Sequence, residues 1–234
     1  NAYYHLGESY LKSDQKTQAL NAFKNASEMS FNSKIQEDAN VNYAKLSYEI
    51  GNPYQSVPGV ITSFLDKYPS SAYKEELNVL LIDSYISSKN YKEALLLLEK
   101  NKTPQNKLAY QKVTFYRGLE FYSQGNYSQA LQLFDKSVAE RQDNRMVSRA
   151  TYWKGEAEYA LNRFKDAQAT YTTFKNLPQA DKTPEYKNVN YSLGYAAFKI
   201  KNYEAAANAF DAYTKSATDA NKKTDAYLRL ADSQ

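Results

Sequence analysis

FYRGLEFYSQGNYSQALQLFDKSV, residues 115–138, holds two helical patterns joined by a turn. Apolar residues stand three and four apart in FYRGLEFYSQ and again in ALQLFDKSV, the spacing of one face of a helix. Between them lies GNYSQAL (125–131). The same phrase returns as KNYKEAL (89–95), NRFKDAQ (162–168) and KNYEAAA (201–207). Aligned on Ala94, Ala130, Ala167 and Ala206, the phrases lie 36, 37 and 39 residues apart. DQKTQAL (14–20) places Ala19 in register, and NPYQSVP (52–58) places Val57 there. A period of 20–50 residues is the mark of stacked repeats, each burying its apolar face on its neighbours. One array is therefore expected over residues 1–234, with units near 1–37, 38–74, 75–110, 111–147, 148–186 and 187–223 and a partial seventh in 224–234.

Composition agrees with an all-α fold: seven glycines and six prolines in 234 residues leave long runs free of helix breakers. Thr103 before Pro104, and Thr183 before Pro184 and Glu185, are expected N-caps. Pro69 and Pro178 fall where helices should stop. Asn1 and Gln234 both lie inside helical patterns, so a piece of a longer chain is expected.

Several function classes lack their residues. There is no cysteine and one histidine, His5, so neither a His cluster nor a thiolate can hold a metal or serve as nucleophile. No GxGxxG, GxxxxGK or GxSxG pattern occurs. The acidic pair Glu75–Glu76 falls at an expected helix start, where the dipole favours negative charge. A net charge of +4 is too diffuse for a nucleic-acid footprint. Arg141, Arg145 and Arg149 could meet an anion, but a solvated charged face accounts for them. No apolar run reaches the roughly 18 residues of a membrane span. No catalytic residue, metal site or cofactor is expected.

The repeating unit resembles a tetratricopeptide repeat. Small residues recur in its first helix at Gly7, Gly118, Gly155 and Gly194, with Ala231 in the last, partial unit. Aromatics follow the turn at Tyr54, Tyr91, Tyr127, Phe164 and Tyr203. The second helix carries the alanine series and then Phe23, Ile61, Leu98, Phe134, Tyr171 and Phe210. The resemblance implies a right-handed α-solenoid of paired antiparallel helices, with each small residue admitting a close neighbour. Lys45 and Ile82 replace the small residue in units two and three, where packing should be looser.

The resemblance also implies a non-enzymatic scaffold that binds a protein or peptide through its first helices, without nucleic acid or membrane insertion. Carried over by register, the groove comprises Lys112, Phe115, Tyr122, Arg149, Tyr152, Glu156, Tyr159, Tyr191, Tyr195 and Phe198. The alternative use of these rings is to pack on one another. Tyr4 and Glu8 stand where a well-known subclass carries lysine and asparagine to clamp a partner's terminal carboxylate, so that clamp is not expected. A structural spacer, or the non-catalytic arm of a larger envelope protein, is the alternative function. FLDKYPSSAYKEE (64–76) is similar to links in bacterial envelope repeat proteins of the TolA-binding and outer-membrane-assembly kinds, which implies a Gram-negative periplasm or envelope.

Overall fold

In each rhyming phrase, one helix ends and the next begins within three residues. The first residue of the phrase takes a left-handed backbone at Asp14, Lys89, Gly125, Asn162 and Lys201, with φ between 55 and 79°. Its N–H donates to a carbonyl of the helix just ended (Lys89 to Ile86, Gly125 to Tyr122, Lys201 to Phe198, each 3.0 Å). The following N–H reaches one residue further back, as in Asn126 to Phe121 and Asn202 to Ala197 at 2.9 Å. This paired closure satisfies carbonyls that a helix end leaves open. The carbonyl of that second residue then accepts from the register alanine of the next helix: Asn90 from Ala94, Asn126 from Ala130, Asn202 from Ala206. Conserving the phrase conserves a complete stop and start.

The structure, a computed structural model, describes residues 2–30 and 32–234. Asn1, read above as lying inside a helical pattern, is outside them. Two compact units are present, Asn1–Asn101 and Lys102–Gln234. The first holds α1 (Ala2–Lys12), α2 (Lys16–Ser27), α3 (Ser33–Ile50), α4 (Val57–Lys67), α5 (Lys74–Ser87) and α6 (Tyr91–Lys100). The second holds α7 (Lys107–Ser123), α8 (Tyr127–Glu140), α9 (Asn144–Ala160), α10 (Phe164–Lys175), α11 (Val189–Lys199), α12 (Tyr203–Ser216) and α13 (Ala220–Asp232). Among the described residues there is no strand, and successive helices within each unit pack as antiparallel hairpins of an α-solenoid.

The glycines mark the tightest contacts. A Cβ on Gly7 would lie 2.8 Å from Phe23, on Gly118 2.7 Å from Phe134, on Gly155 2.6 Å from Tyr171, and on Gly194 2.7 Å from Phe210. All four rings are buried, as are Ala19, Ala94, Ala130, Ala167 and Ala206. The ring therefore lies over the glycine of its own hairpin. The two helices of α3–α4, and those of α5–α6, with Lys45 and Ile82 in the glycine slot, share less contact than the helices of the four hairpins that carry glycine. Lys45 turns its ammonium outward to Glu76 (2.8 Å) and over the Tyr73 ring (5.1 Å).

Two expectations need correction. Six residues separate α3 from α4, where three separate the two helices of every other hairpin, and α4 starts at Val57. Val60 therefore holds the fourth helical position that alanine holds elsewhere, and Phe64 the ring position, in place of Val57 and Ile61. The long turn is organised by Asn52, whose amide donates to Tyr43 Oη (2.9 Å) and Ser47 Oγ (2.7 Å) and whose carbonyl accepts from Tyr54 N (2.8 Å). Tyr54 consequently stands 55% exposed, its hydroxyl on Asn21. Thr183 caps no helix: its hydroxyl closes the preceding 3₁₀ turn on Ala180 O (2.6 Å), and α11 starts only at Val189. Thr103 does cap, in a reciprocal pair with Asn106.

Candidate functional site

Within Lys102–Gln234, the residues expected to form the groove sit on α7, α9 and α11. Arg149, Tyr152, Glu156 and Tyr159 are spaced three or four apart on α9, and Tyr191, Tyr195 and Phe198 likewise on α11, so each set shares a helix face. Helix α9 is started by Asp143, whose carboxylate accepts from Arg145 N (2.8 Å) and Met146 N (3.2 Å).

These residues divide by depth. Lys112 is exposed. Phe115 is 0% exposed and packs on Tyr116 and Phe134 in the core. Arg149 is held rather than free: its Nε donates to Glu185 Oε1 (2.9 Å), Trp153 Nε1 shares that oxygen (3.2 Å), and its guanidinium covers the Phe115 ring (4.8 Å). Tyr122, Tyr159 and Phe198 each meet the aromatic just after their own turn, edge to face, at 5.2, 5.1 and 5.4 Å. Tyr152 is buried among Trp153, Tyr171 and Phe174. For Phe115 and Tyr152 the rings serve internal packing, the alternative weighed from the sequence.

The other residues converge. Glu156, Tyr159, Tyr191 and Tyr195, with Tyr171 and Ser192, line a pocket of about 230 Å³ between α9 and α11. That is below the several hundred Å³ typical of small-molecule sites and suits a single side chain. Glu156 Oε1 accepts from Tyr171 Oη (2.8 Å) and from Ser192 Oγ (2.7 Å). Because the Ser192 proton goes to Glu156, Tyr152 Oη donates to Ser192 Oγ (3.1 Å). On the far wall, Tyr191 Oη (2.8 Å) and Tyr195 Oη both donate to Asp225 on α13. Burial pushes the Tyr122 phenol up to about 12. Burial, and then the Glu156 charge, push Tyr152 and Tyr171 up further. Burial and the bond to Asp225 do the same to Tyr191. These phenols therefore remain neutral at ordinary pH, with the protons of Tyr171 and Tyr191 on carboxylates and that of Tyr152 on a hydroxyl.

Tyr171, Ser192 and Asp225 were not anticipated as parts of this site. Tyr171 carried a signal: three of the four rings over glycine are phenylalanine, so the one hydroxyl in that slot demanded a partner. Elsewhere, His5 is exposed and its Nδ1 lies 2.9 Å from Glu8. Among the described residues no group of three His, Asp or Glu side chains could hold a metal ion, and no helix is long and apolar enough to cross a membrane.

Two tetratricopeptide repeat family profiles match, one over residues 117–181 and 172–221 and the other over 1–33, together more than half of the sequence. The chain belongs to the tetratricopeptide repeat family. This repeat chain is also similar to a tetratricopeptide repeat protein from Parabacteroides merdae, at 15% identity over 100% of this chain and 91% of that one, with a TM-score of 0.45. A TPR2AB-domain:pHSP90 complex of yeast Sti1 is similar at 14% identity over 99% and 97%, with a TM-score of 0.43. No curated protein sequence matches it. The tetratricopeptide fold commonly mediates protein–protein interaction, and its matched residues 117–221 include every groove residue named above except Lys112 and Phe115.

Proposed function

We propose that this chain is a non-enzymatic scaffold that holds a segment of a partner protein against α9 and α11. One observation carries the reading: a single-side-chain pocket opens where the register places the groove, and four of the expected residues line it. Aromatic residues in such pockets are the usual anchors of protein interfaces. Tyr159 lines the pocket and is less buried than Tyr152, so it serves as the probe. Selecting peptides from a random display library on the 234-residue chain tests the reading. Selected peptides should lose about tenfold or more in affinity for Tyr159→Ala, as expected of an interface anchor, while that variant keeps its helical circular dichroism. Peptides indifferent to Tyr159→Ala, or none selected, would overturn it. An envelope setting, supported by the 64–76 link alone, belongs to the same proposal.

A further inference from the structure

The tyrosine pocket contains a carboxylate, Glu156, that no cation among the described residues pairs. The Tyr171 and Ser192 hydroxyls both donate to Glu156 Oε1, hydrogen bonds that leave its charge unneutralised. No lysine or arginine among the described residues stands within ion-pair distance of Glu156. Cations of this chain reach the outer wall without pairing with Glu156: Lys222 lies over the Tyr191 ring (5.6 Å), Arg229 pairs with Asp232 (2.8 Å) and Asp225 (3.8 Å), and Arg149 is committed to Glu185. Tyr171, Tyr191 and Tyr195 donate their protons to carboxylates, which leaves electron-rich rings and oxygen lone pairs as the rest of the lining. The negative face of an aromatic ring attracts a cation, more so once water is removed.

We infer that the anchor filling this pocket is a lysine or arginine side chain of the partner segment, its cation seated against Glu156 between the rings of Tyr159, Tyr191 and Tyr195. The inference rests on the groove reading above and gives it a chemistry. An apolar anchor would strip water from the Glu156 carboxylate and return nothing, and an acidic one would add repulsion. A cation compensates the charge and uses the ring faces together. Its aliphatic stem fits the apolar walls while the head reaches the carboxylate.

The test uses the peptides selected on the whole chain. Each lysine and arginine is replaced in turn by norleucine, and affinities are measured by calorimetry for the wild type and for Glu156→Gln. One basic residue per peptide should cost about tenfold or more when replaced. Glu156→Gln should weaken the parent peptide by a similar factor and leave the norleucine peptide unchanged, the non-additivity of a direct pair. Tyr159-dependent peptides with no such residue, or with additive losses, would overturn the cationic anchor and leave the groove reading standing. Peptides that ignore Tyr159 would overturn both. The norleucine series on the wild type needs no variant to fold, and a thermal melt shows whether Glu156→Gln has kept its structure.

Discussion

Residues 1–101 and 102–234 build the same hairpin by different means. The second unit places glycine under a buried ring in three successive hairpins, Gly118–Phe134, Gly155–Tyr171 and Gly194–Phe210. The first does so once, at Gly7–Phe23, then fills the slot with Lys45 and Ile82. Glycine inside a helix costs roughly 0.8–1 kcal/mol relative to alanine. Fully burying one ring returns roughly 1.5–3 kcal/mol, so the exchange favours close approach wherever a large ring is available. Where the ring slot holds Leu98 instead, the glycine slot holds Ile82, and both are buried. Lys45 shows a third solution, in which a long stem leaves the crossing and ends on Glu76. The hairpin tolerates all three, but only the glycine form sets two helices at ring-thickness distance.

The sharpest way to break this contrast is to fill the slot. Gly155→Leu should cost roughly 1–3 kcal/mol or more, because its side chain would enter the Tyr171 ring. Lys45→Leu should change stability by less than about 1 kcal/mol, since a surface ion pair is worth little. Urea midpoints for the two variants measure the difference, and equal losses would remove the distinction. Next in size is Asn52→Ala, which strips four hydrogen bonds from the long α3–α4 turn found only in the first unit. A loss of about 1–2 kcal/mol is expected, the net value of one or two buried bonds.

The short turns, in contrast, should respond alike in both units. Lys89 and Lys201 hold left-handed backbones at φ of 59 and 61°. Lys89→Gly and Lys201→Gly should each gain roughly 0.5–1 kcal/mol, the left-handed strain relieved less the glycine entropy. A gain in one unit and a loss in the other would show that the phrase does not close both in the same way. The smallest effect concerns Glu158, buried on α9 with Oε2 unpartnered among the described residues. Burial raises its pKa. The stability linked to a raised carboxyl is fully present below its unfolded value, about 4.3, and is lost as pH rises through the folded one. Glu158→Gln should therefore be the more stable protein at pH 7, and the advantage should shrink as pH falls toward 4. A pH series of thermal melts reads this directly.

Much of this was legible because one physical rule recurs with the period. A glycine, a turn ring and an alanine fall at fixed offsets, so α7–α12 could be placed before any coordinate. The rule failed at Val57 because an inserted turn shifts register without changing the look of the phrase; only Asn52 and its four bonds show where the extra residues went. Depth was the second blind spot. Helical periodicity assigns Phe115 and Tyr195 to equivalent faces, yet Phe115 is sealed by Phe134 and Arg149 while Tyr195 lines a pocket. The Tyr152–Ser192–Glu156–Tyr171 chain of hydrogen bonds joins residues up to 40 apart through donors that no spacing rule singles out.

Asp225 gives helix α13 an influence beyond shielding α12 from water. By drawing two phenolic protons toward itself, it sets the tilt of Tyr191 and Tyr195 in the preceding repeat. The terminal helix thereby tunes the shape of a cavity that it does not itself line. Stripping away α13, or any molecule that pulls on it, would let two phenol arms swing and would blur the outline they present to a visitor.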